Sequence, residues 1–344
     1  MTLPNSINTV AELEEVMTTP GAALIAALRE LPGDLLILGT SGKMGPSLAR
    51  LAKRASDQAG IRRRVIGVAR FANGVARQAL EQAGVETIAC DLLDPGAMQQ
   101  LPEVENVVYM IGMKFGTTGR EAGTWAVNAY LAAVAAQQFK HSRIVLFSTG
   151  NVYPLTPVKF GGCTEDDAPG PLGEYAQSAL ARERLFEYFC RQNHTPGVIL
   201  RLNYAIDLRY GVLLDVAQKV YNGQDIDLSM GHVNVIWQGD ANTVALRCLA
   251  HAQTPPLLLN VTGPETVSIR RLAEKFGELL VRTPVFVNEE AETALLSDAG
   301  RMFAKFGYPV ITLQQMIAWT AHWVKIGGPT LNKPTHFETR TGRF

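Results

Sequence analysis

The sequence predicts an α/β fold, a doubly wound parallel sheet (Rossmann-like) with a smaller C-terminal substrate lobe. Three observations predict it. Short apolar runs alternate with stretches of helical periodicity, the loops between them are short, and the first run, Leu35 to Leu38, feeds directly into Gly39, Gly42 and Gly45. Strand, helix, strand with short connections implies parallel pairing and right-handed crossovers. A continuous apolar run suits a strand buried on both faces.

In chain order, residues 1–33 read as an extension of two short helices, Thr9 to Met17 and Gly21 to Leu31, placed to cover an edge or end of the sheet. In the glycine turn the first glycine permits a tight bend, the second a close backbone approach to a pyrophosphate, and the third close packing of helix on strand. Pro46 opens the helix that runs to Arg54, and the N-terminus of that helix faces the phosphates. A Walker-type loop is excluded, because Gly42-Lys43 is followed by Met44 and position 37 is Ile. Further strands are expected at Arg64 to Ala69, Gly84 to Ala89, Asn106 to Ile111 and Arg143 to Phe147, with helices at Val75 to Ala83, Pro95 to Gln100 and Thr124 to Phe139. Beyond them come a helix Tyr175 to Gln192, strands Val198 to Leu202, Val233 to Trp237 and Pro256 to Val261, and helices Gly211 to Tyr221, Asp240 to His251, Ser268 to Leu280 and Leu313 to Val324. The expected domains are 34–203 with 233–262 for the dinucleotide and 204–232 with 263–326 for the substrate. The tail, 327–344, is mobile unless the fold or a partner clasps it.

The 344 residues, 47% hydrophobic and 19% charged, are long enough for two lobes. Basic and acidic residues balance at 32 each, which leaves no field for nucleic acid or a membrane surface. Cys90, Cys163, Cys190 and Cys248 have neither disulfide nor zinc spacing, and the six histidines have no metal-ligand spacing, so no metal is expected. No apolar run is long enough for a membrane span, and the N-terminus does not resemble a signal peptide, so the expected location is cytoplasmic.

Strand ends carry the ligand contacts in such a sheet. The second strand ends at Arg70, where a dinucleotide site more often has a carboxylate on the ribose. Arg70 either holds a 2′-phosphate, with Lys43 as a second charge, or is a solvated loop residue. The first reading favours NADP, with NAD the alternative. Asp91 either accepts from the adenine amino group or caps a turn with Asp94.

Phe147-Ser-Thr-Gly-Asn-Val-Tyr153, Thr164-Glu-Asp-Asp-Ala-Pro169 and Tyr175-Ala-Gln-Ser-Ala-Leu-Ala-Arg-Glu183 together resemble the extended short-chain dehydrogenase/reductase family, also called the NAD-dependent epimerase/dehydratase family. Gly39 to Gly45, Asp91-Leu92, Asn128, Leu200-Arg-Leu-Asn203, Asp240 in Gln238-Gly-Asp-Ala, and Asn260-Val-Thr-Gly263 match its order and spacing across residues 34–325. The resemblance implies a cofactor held by Gly39, Ser41, Gly42, Lys43, Met44, Gly45, Arg70, Asp91, Leu92, Gly112, Asn128 and Tyr175. It implies that Thr149 hydrogen-bonds the substrate and that Tyr175 exchanges the proton. Lys114, Asn203, Arg209 and Trp237 are the expected substrate contacts. Arg209 is otherwise a salt bridge within its loop, Trp237 a core residue, and Lys114 an exposed loop charge.

Two departures stand out. The family's lysine four residues after the tyrosine is Ala179 here, so the cation one helical turn away is missing. A tyrosine with a pKa of ~10 is ionised about one part in a thousand at neutral pH without such help. Lys114 is the best replacement, ahead of Lys159 and Arg182. The acidic pair that follows the threonine in the family's dehydratases is Gly150-Asn151, which disfavours elimination. The expected activity is NAD(P)-dependent oxidation or epimerisation at a hydroxyl of a sugar or sugar-derived substrate; the alternative is a catalytically weak nucleotide-binding sensor or scaffold. The apolar helix from Trp125 to Ala136, with the helix from Tyr175, implies a homodimer by the same resemblance.

Overall fold

A computed structural model describes residues 3–72 and 74–343; the first two residues of the extension and Phe344 of the tail lie outside the described residues. The central strands are β1 (Leu35–Leu38), β2 (Val65–Ala69), β3 (Glu86–Ala89), β4 (Asn106–Tyr109), β5 (Arg143–Thr149), β6 (Gly197–Leu202) and β7 (Leu257–Val261). They form one parallel sheet in the order β7-β6-β5-β4-β1-β2-β3. Leu38 of β1 lies opposite Val68 on one side and Tyr109 on the other. The chain leaves β1 toward β2 and β3, then crosses back to β4, so the order reverses at β1 and β4 and a crevice opens above their carboxyl ends.

The helices are α1 (Val10–Thr18), α2 (Ala22–Glu30), α3 (Gly45–Gln58), α4 (Gly74–Gln82), α5 (Glu121–Trp125), α6 (Leu131–Gln138), α7 (Gly173–Asn193), α8 (Val212–Tyr221), α9 (Gln238–Cys248), α10 (Ile269–Leu280), α11 (Gly300–Phe306) and α12 (Leu313–Lys325). Side chains alternate across a strand, and β1 divides accordingly. Leu35 and Ile37 pack with Leu24 and Leu28 of α2, Leu48 and Ala52 of α3, and Ala245 of α9. Leu36 and Leu38 pack with Leu131 and Ala135 of α6 and Phe186 and Cys190 of α7. The sheet is therefore covered on both faces. A second core, built from α8, α10 and α12, gathers Trp237, Trp319, Trp323, Phe276 and Phe337.

Three expectations are corrected, and the condition set for an ordered tail is met. The apolar stripe of α2 lies on a sheet face instead of an edge, and Leu13 and Met17 of α1 enter the second core. Pro95 to Gln100 forms only a three-residue 3-10 turn from Met98, because Gly96 sits at φ +81° and breaks any longer helix. Val233 to Trp237 is two strands of two residues, interrupted at Asn234, whose amide instead donates to the Glu265 carbonyl and accepts from Ser297 N. The tail is clasped: Phe337 is buried, Thr335 donates twice to Asp215, Lys219 pairs with Glu338 at 2.5 Å, and Arg340 donates to the carbonyls of Ser229 and Thr293.

Candidate active site

Two cavities lie above the carboxyl ends of the strands. The first, about 510 Å³, runs from the glycine turn across β2, β3 and β4; Gly39, Ser41, Gly42, Arg70, Asp91, Leu92 and Gly112 all line it. The second, about 170 Å³, is lined by Lys43, Met44, Thr149, Tyr175, Asn203 and Tyr210 among others. Lys114 lines both.

The turn has the geometry that its spacing predicts. Gly39 is at φ +95°, and a β-carbon there would lie 3.1 Å from the backbone of Met110 and Ile111. At Gly45 a β-carbon would lie 2.4 Å from the Thr40 carbonyl oxygen, closer than real atoms approach, so α3 can begin here only with glycine. Met44 is the N-cap and Pro46 lies in the first turn of the 14-residue α3. Its first N–H groups, orphaned as at every helix start, are aligned for an anion. A cradle that a side chain would fill, beside a cleft of this volume, fits a dinucleotide.

Thr149 ends β5. Its hydroxyl oxygen accepts from Asn151 N at 3.2 Å and from Asn151 Nδ2 at 3.0 Å, and it donates to no described residue, so its proton is available to a ligand. Tyr175 enters from the first turn of α7. The relation between the two is fixed by a buried ion pair: Glu183 of α7 meets Arg201 of β6 at 2.7 Å, and Ser148 of β5 donates to Glu183 at 2.5 Å. With both partners in the interior, this bridge locks one helix to two strand ends.

Asn128 is corrected from a cofactor contact to a strut. Its Oδ1 accepts from Met113 N and Arg182, and its Nδ2 donates to the Met113 carbonyl and Ser178 Oγ. Both donor hydrogens and both lone pairs are spent, so the side chain holds the loop after β4 against α7. It does so from a π-helical turn, Ala126–Tyr130, that joins α5 to α6 and that sequence periodicity did not reveal. Arg209 is tied to Glu14 at 2.8 Å and Asp207 at 3.0 Å and lines neither cavity, and Trp237 is a core residue against Trp319; neither faces the crevice. Lys43 turns away from the adenosine end. Its Nζ donates to the Ala205 carbonyl at 2.6 Å and lies 4.3 Å over the Tyr210 ring, because a short turn directs its side chain across the mouth of β6. Asp91 caps Leu93 N through Oδ1 while its other oxygen sits 4.0 Å from Arg70. Asn203 is buried and donates to the Leu295 carbonyl at 3.3 Å.

Of the three cations considered for the missing lysine, Lys159 lies over Phe160 and lines neither cavity, and Arg182 spends its guanidinium on the Asn128 and Phe147 carbonyls and Asn128 Oδ1. Lys114 alone of these borders Tyr175's cavity. Burial pushes both Lys43 and Lys114 down to about 8. Burial pushes Tyr210 upward, with Asp215 and Tyr175 adding to the effect. Sequence reasoning missed Tyr210, Tyr204, Thr335 and Lys333, the last of which reaches the first cavity from the tail. No signal in the sequence pointed to the last two; Phe337, between them and the end of the chain, is buried in the second core.

The sequence model of the NAD-dependent epimerase/dehydratase family matches residues 35–226, more than half of the chain, and the protein belongs to that family. It is thus an enzyme of the extended short-chain dehydrogenase/reductase type, for which a nicotinamide cofactor is the expected partner. A search of curated protein sequences finds no match. Among solved structures, the UDP-glucuronic acid 4-epimerase of Bacillus cereus in complex with UDP-glucuronic acid and NAD superposes with a TM-score of 0.70 at 16% identity, covering 85% of this chain and 99% of that one. The UDP-glucose 4-epimerase of Thermotoga maritima with UDP-glucose gives 0.69 at 16%, covering 85% and 98%. The Bordetella bronchiseptica enzyme WbmG with NAD and UDP gives 0.70 at 20%, covering 89% and 98%. These likenesses establish the shared fold.

Proposed function

We propose that the protein oxidises or epimerises a hydroxyl of a sugar nucleotide, with Thr149 orienting the substrate oxygen and Tyr175 moving its proton. The observation that carries this reading is that both side chains line one cavity, joined through Lys114 to the cleft above the glycine turn. The dinucleotide is held by Gly39 to Gly45 and the α3 N-terminus at its phosphates and by Asp91 and Leu92 at its adenosine. When bound, the nicotinamide supplies hydride chemistry.

The chain's own residues supply the rest. Thr149 Oγ1, polarised by two N–H donors from Asn151, donates its proton to the substrate oxygen. Tyr175 Oη accepts the hydroxyl proton, with Lys43 and Lys114 lining the same cavity where Ala179 brings no charge. Arg70, three-quarters exposed at the cleft mouth, favours a 2′-phosphate, and thus NADP; the Asp91 carboxylate at 4.0 Å reduces that advantage. Trp125, Tyr130 and Tyr188 are exposed on α5, its π turn and α7, which supports a homodimer, to be checked by mass in solution across protein concentrations.

The test is calorimetric titration with NAD, NADH, NADP and NADPH, followed by turnover of UDP-glucose and UDP-glucuronic acid by the wild type and Tyr175→Phe. Binding of one nucleotide pair and turnover that Tyr175→Phe abolishes are expected. No binding by all four, or unchanged turnover in the variant, would overturn the reading.

A further inference from the structure

The tail contributes a wall residue to each cavity, Lys333 to the larger and Thr335 to the smaller. It is fastened on both sides of them. Leu331 N donates to the Arg209 carbonyl at 2.9 Å, and Thr335 gives its N–H and its hydroxyl to one oxygen of Asp215 in α8, at 2.8 and 2.6 Å. Phe337 then enters the second core, and Arg340 donates to the carbonyl and the hydroxyl of Thr293 at 2.7 and 2.6 Å. The other anchors belong to the central sheet and its helices. The His336 ring lies 6.0 Å from that of Phe115 in the loop after β4. At the far end the tail meets the start of α7, two residues before Tyr175. A β-carbon at Gly342 would lie 2.0 Å from the Leu172 carbonyl oxygen, and one at Gly173 2.2 Å from that of Gly342, so the two backbones cross where only glycine fits.

The larger cavity lacks a cation from its own glycine turn. Lys43 is directed to the Ala205 carbonyl and the Tyr210 ring and does not line it, and Arg70 lies 4.0 Å from the Asp91 carboxylate. Lys333 is exposed and makes no hydrogen bond or ion pair with any described residue. Pro334 fixes its own φ and biases Lys333 toward an extended backbone, so a segment anchored at Leu331 and Thr335 has little freedom left between them. We propose that the tail is part of the nucleotide site: Lys333 holds a phosphate of the dinucleotide, and the bound dinucleotide in turn tightens the tail. The inference rests on the reading above that the cleft takes a dinucleotide. The phosphate is either the pyrophosphate, common to NAD and NADP, or the 2′-phosphate of NADP; both offer an oxyanion to one ammonium. Coupling between two binding events is reciprocal, so what the anchored Lys333 adds to nucleotide affinity, the nucleotide returns to the anchoring of the tail.

The experiment titrates wild type, Lys333→Ala and Lys333→Arg with NAD and NADP by calorimetry, and follows hydrogen exchange of residues 329–343 by mass spectrometry with and without the tighter nucleotide. Lys333→Ala removes an exposed side chain and leaves every anchor in place. It should weaken nucleotide binding about fivefold to tenfold, the worth of one charge-assisted contact near the surface, whereas Lys333→Arg should keep most of the affinity. Loss for NAD and NADP alike assigns the pyrophosphate; loss for NADP alone assigns the 2′-phosphate. Saturating nucleotide should slow exchange in the wild-type tail by about the same factor, and the slowing should shrink in Lys333→Ala. Unchanged affinity in Lys333→Ala, equal loss in both variants, or tail exchange indifferent to nucleotide overturns the proposal. Nucleotide binding that ignores Lys333, together with turnover that Tyr175→Phe abolishes, removes the tail from the site and leaves the proposed function standing. Binding that depends on Lys333 without turnover that depends on Tyr175 does the reverse. No binding by either nucleotide removes both.

Discussion

The two cavities are made in different ways. The larger one is built on a glycine turn and the ends of three strands, with Arg70 exposed at its mouth. The smaller one is side chains from six separate segments, Lys43, Lys114, Thr149, Tyr175, Tyr210 and Thr335, of which Thr149 and Thr335 are buried. A backbone cradle tolerates varied side chains and binds a cofactor whose shape does not change. A side-chain cavity sets charge and proton affinity, and small sequence changes retune it. This contrast explains how the fold keeps its nucleotide cleft while Ala179 replaces a lysine.

The largest effect that sharpens the contrast is in the smaller cavity. Tyr175→Phe removes the group that moves the proton and should lower kcat by about 10²–10⁴ with little change in nucleotide affinity, a split that steady-state kinetics and calorimetry read separately. The corresponding change in the larger cavity is Gly45→Ala. A β-carbon 2.4 Å from the Thr40 carbonyl pushes α3 away from β1, so nucleotide affinity should fall at least tenfold and the melting temperature with it. Preserved affinity would mean that the α3 N-terminus does not hold the phosphates.

How much of this the sequence disclosed follows the same division. The parallel sheet and the glycine turn were legible because each depends on a local run: an apolar tetrapeptide, three spaced glycines, one helix. Thr149 and Tyr175 were legible because they sit in extended motifs. The Lys43 direction was not, since nothing within its turn indicates that the Ala205 carbonyl and the Tyr210 ring wait some 160 positions further on. Arg209 and Trp237 were misread as crevice residues for the same reason: the carboxylate of Glu14 and the ring of Trp319 come from opposite ends of the chain. Asn128 was legible only as the family's helix asparagine; its full set of four hydrogen bonds is visible only once Met113, Ser178 and Arg182 surround it.

The position left by the missing lysine offers the next test. Ala179 is fully buried against Val152, Tyr153 and Cys163. Ala179→Lys should therefore not restore the family's arrangement; it should overpack this cluster and bury a charge, destabilising the fold by about 2–4 kcal/mol without raising kcat. A stable variant with faster turnover would show that the cluster yields and that the vacant cation limits the rate. A smaller effect is expected at the other cavity's mouth. Arg70→Ala should weaken NADP relative to NAD by about fivefold to tenfold, the worth of one partly exposed charge-assisted contact. An unchanged ratio would assign the 2′ end to other groups.

The smallest effect separates the charge of the smaller cavity from its shape. A lysine held near 8 in the folded protein, against an ordinary value of 10.5, binds fewer protons folded than unfolded between those limits. Stability from this source therefore rises with pH across that window and is lowest at neutral pH and below, where both ammonium groups are charged and buried. Lys43→Met removes one such group. It should raise the melting temperature of the ligand-free protein by roughly 2 °C at pH 7, and the gap should narrow above pH 8 and close only above the ordinary lysine value of 10.5, where the side chain is neutral folded and unfolded alike. A gap that does not change with pH would mean that methionine packs better than lysine against Tyr210 and Ala205, and that the charge itself costs little. A gap that closes means that the cavity carries an electrostatic cost at rest.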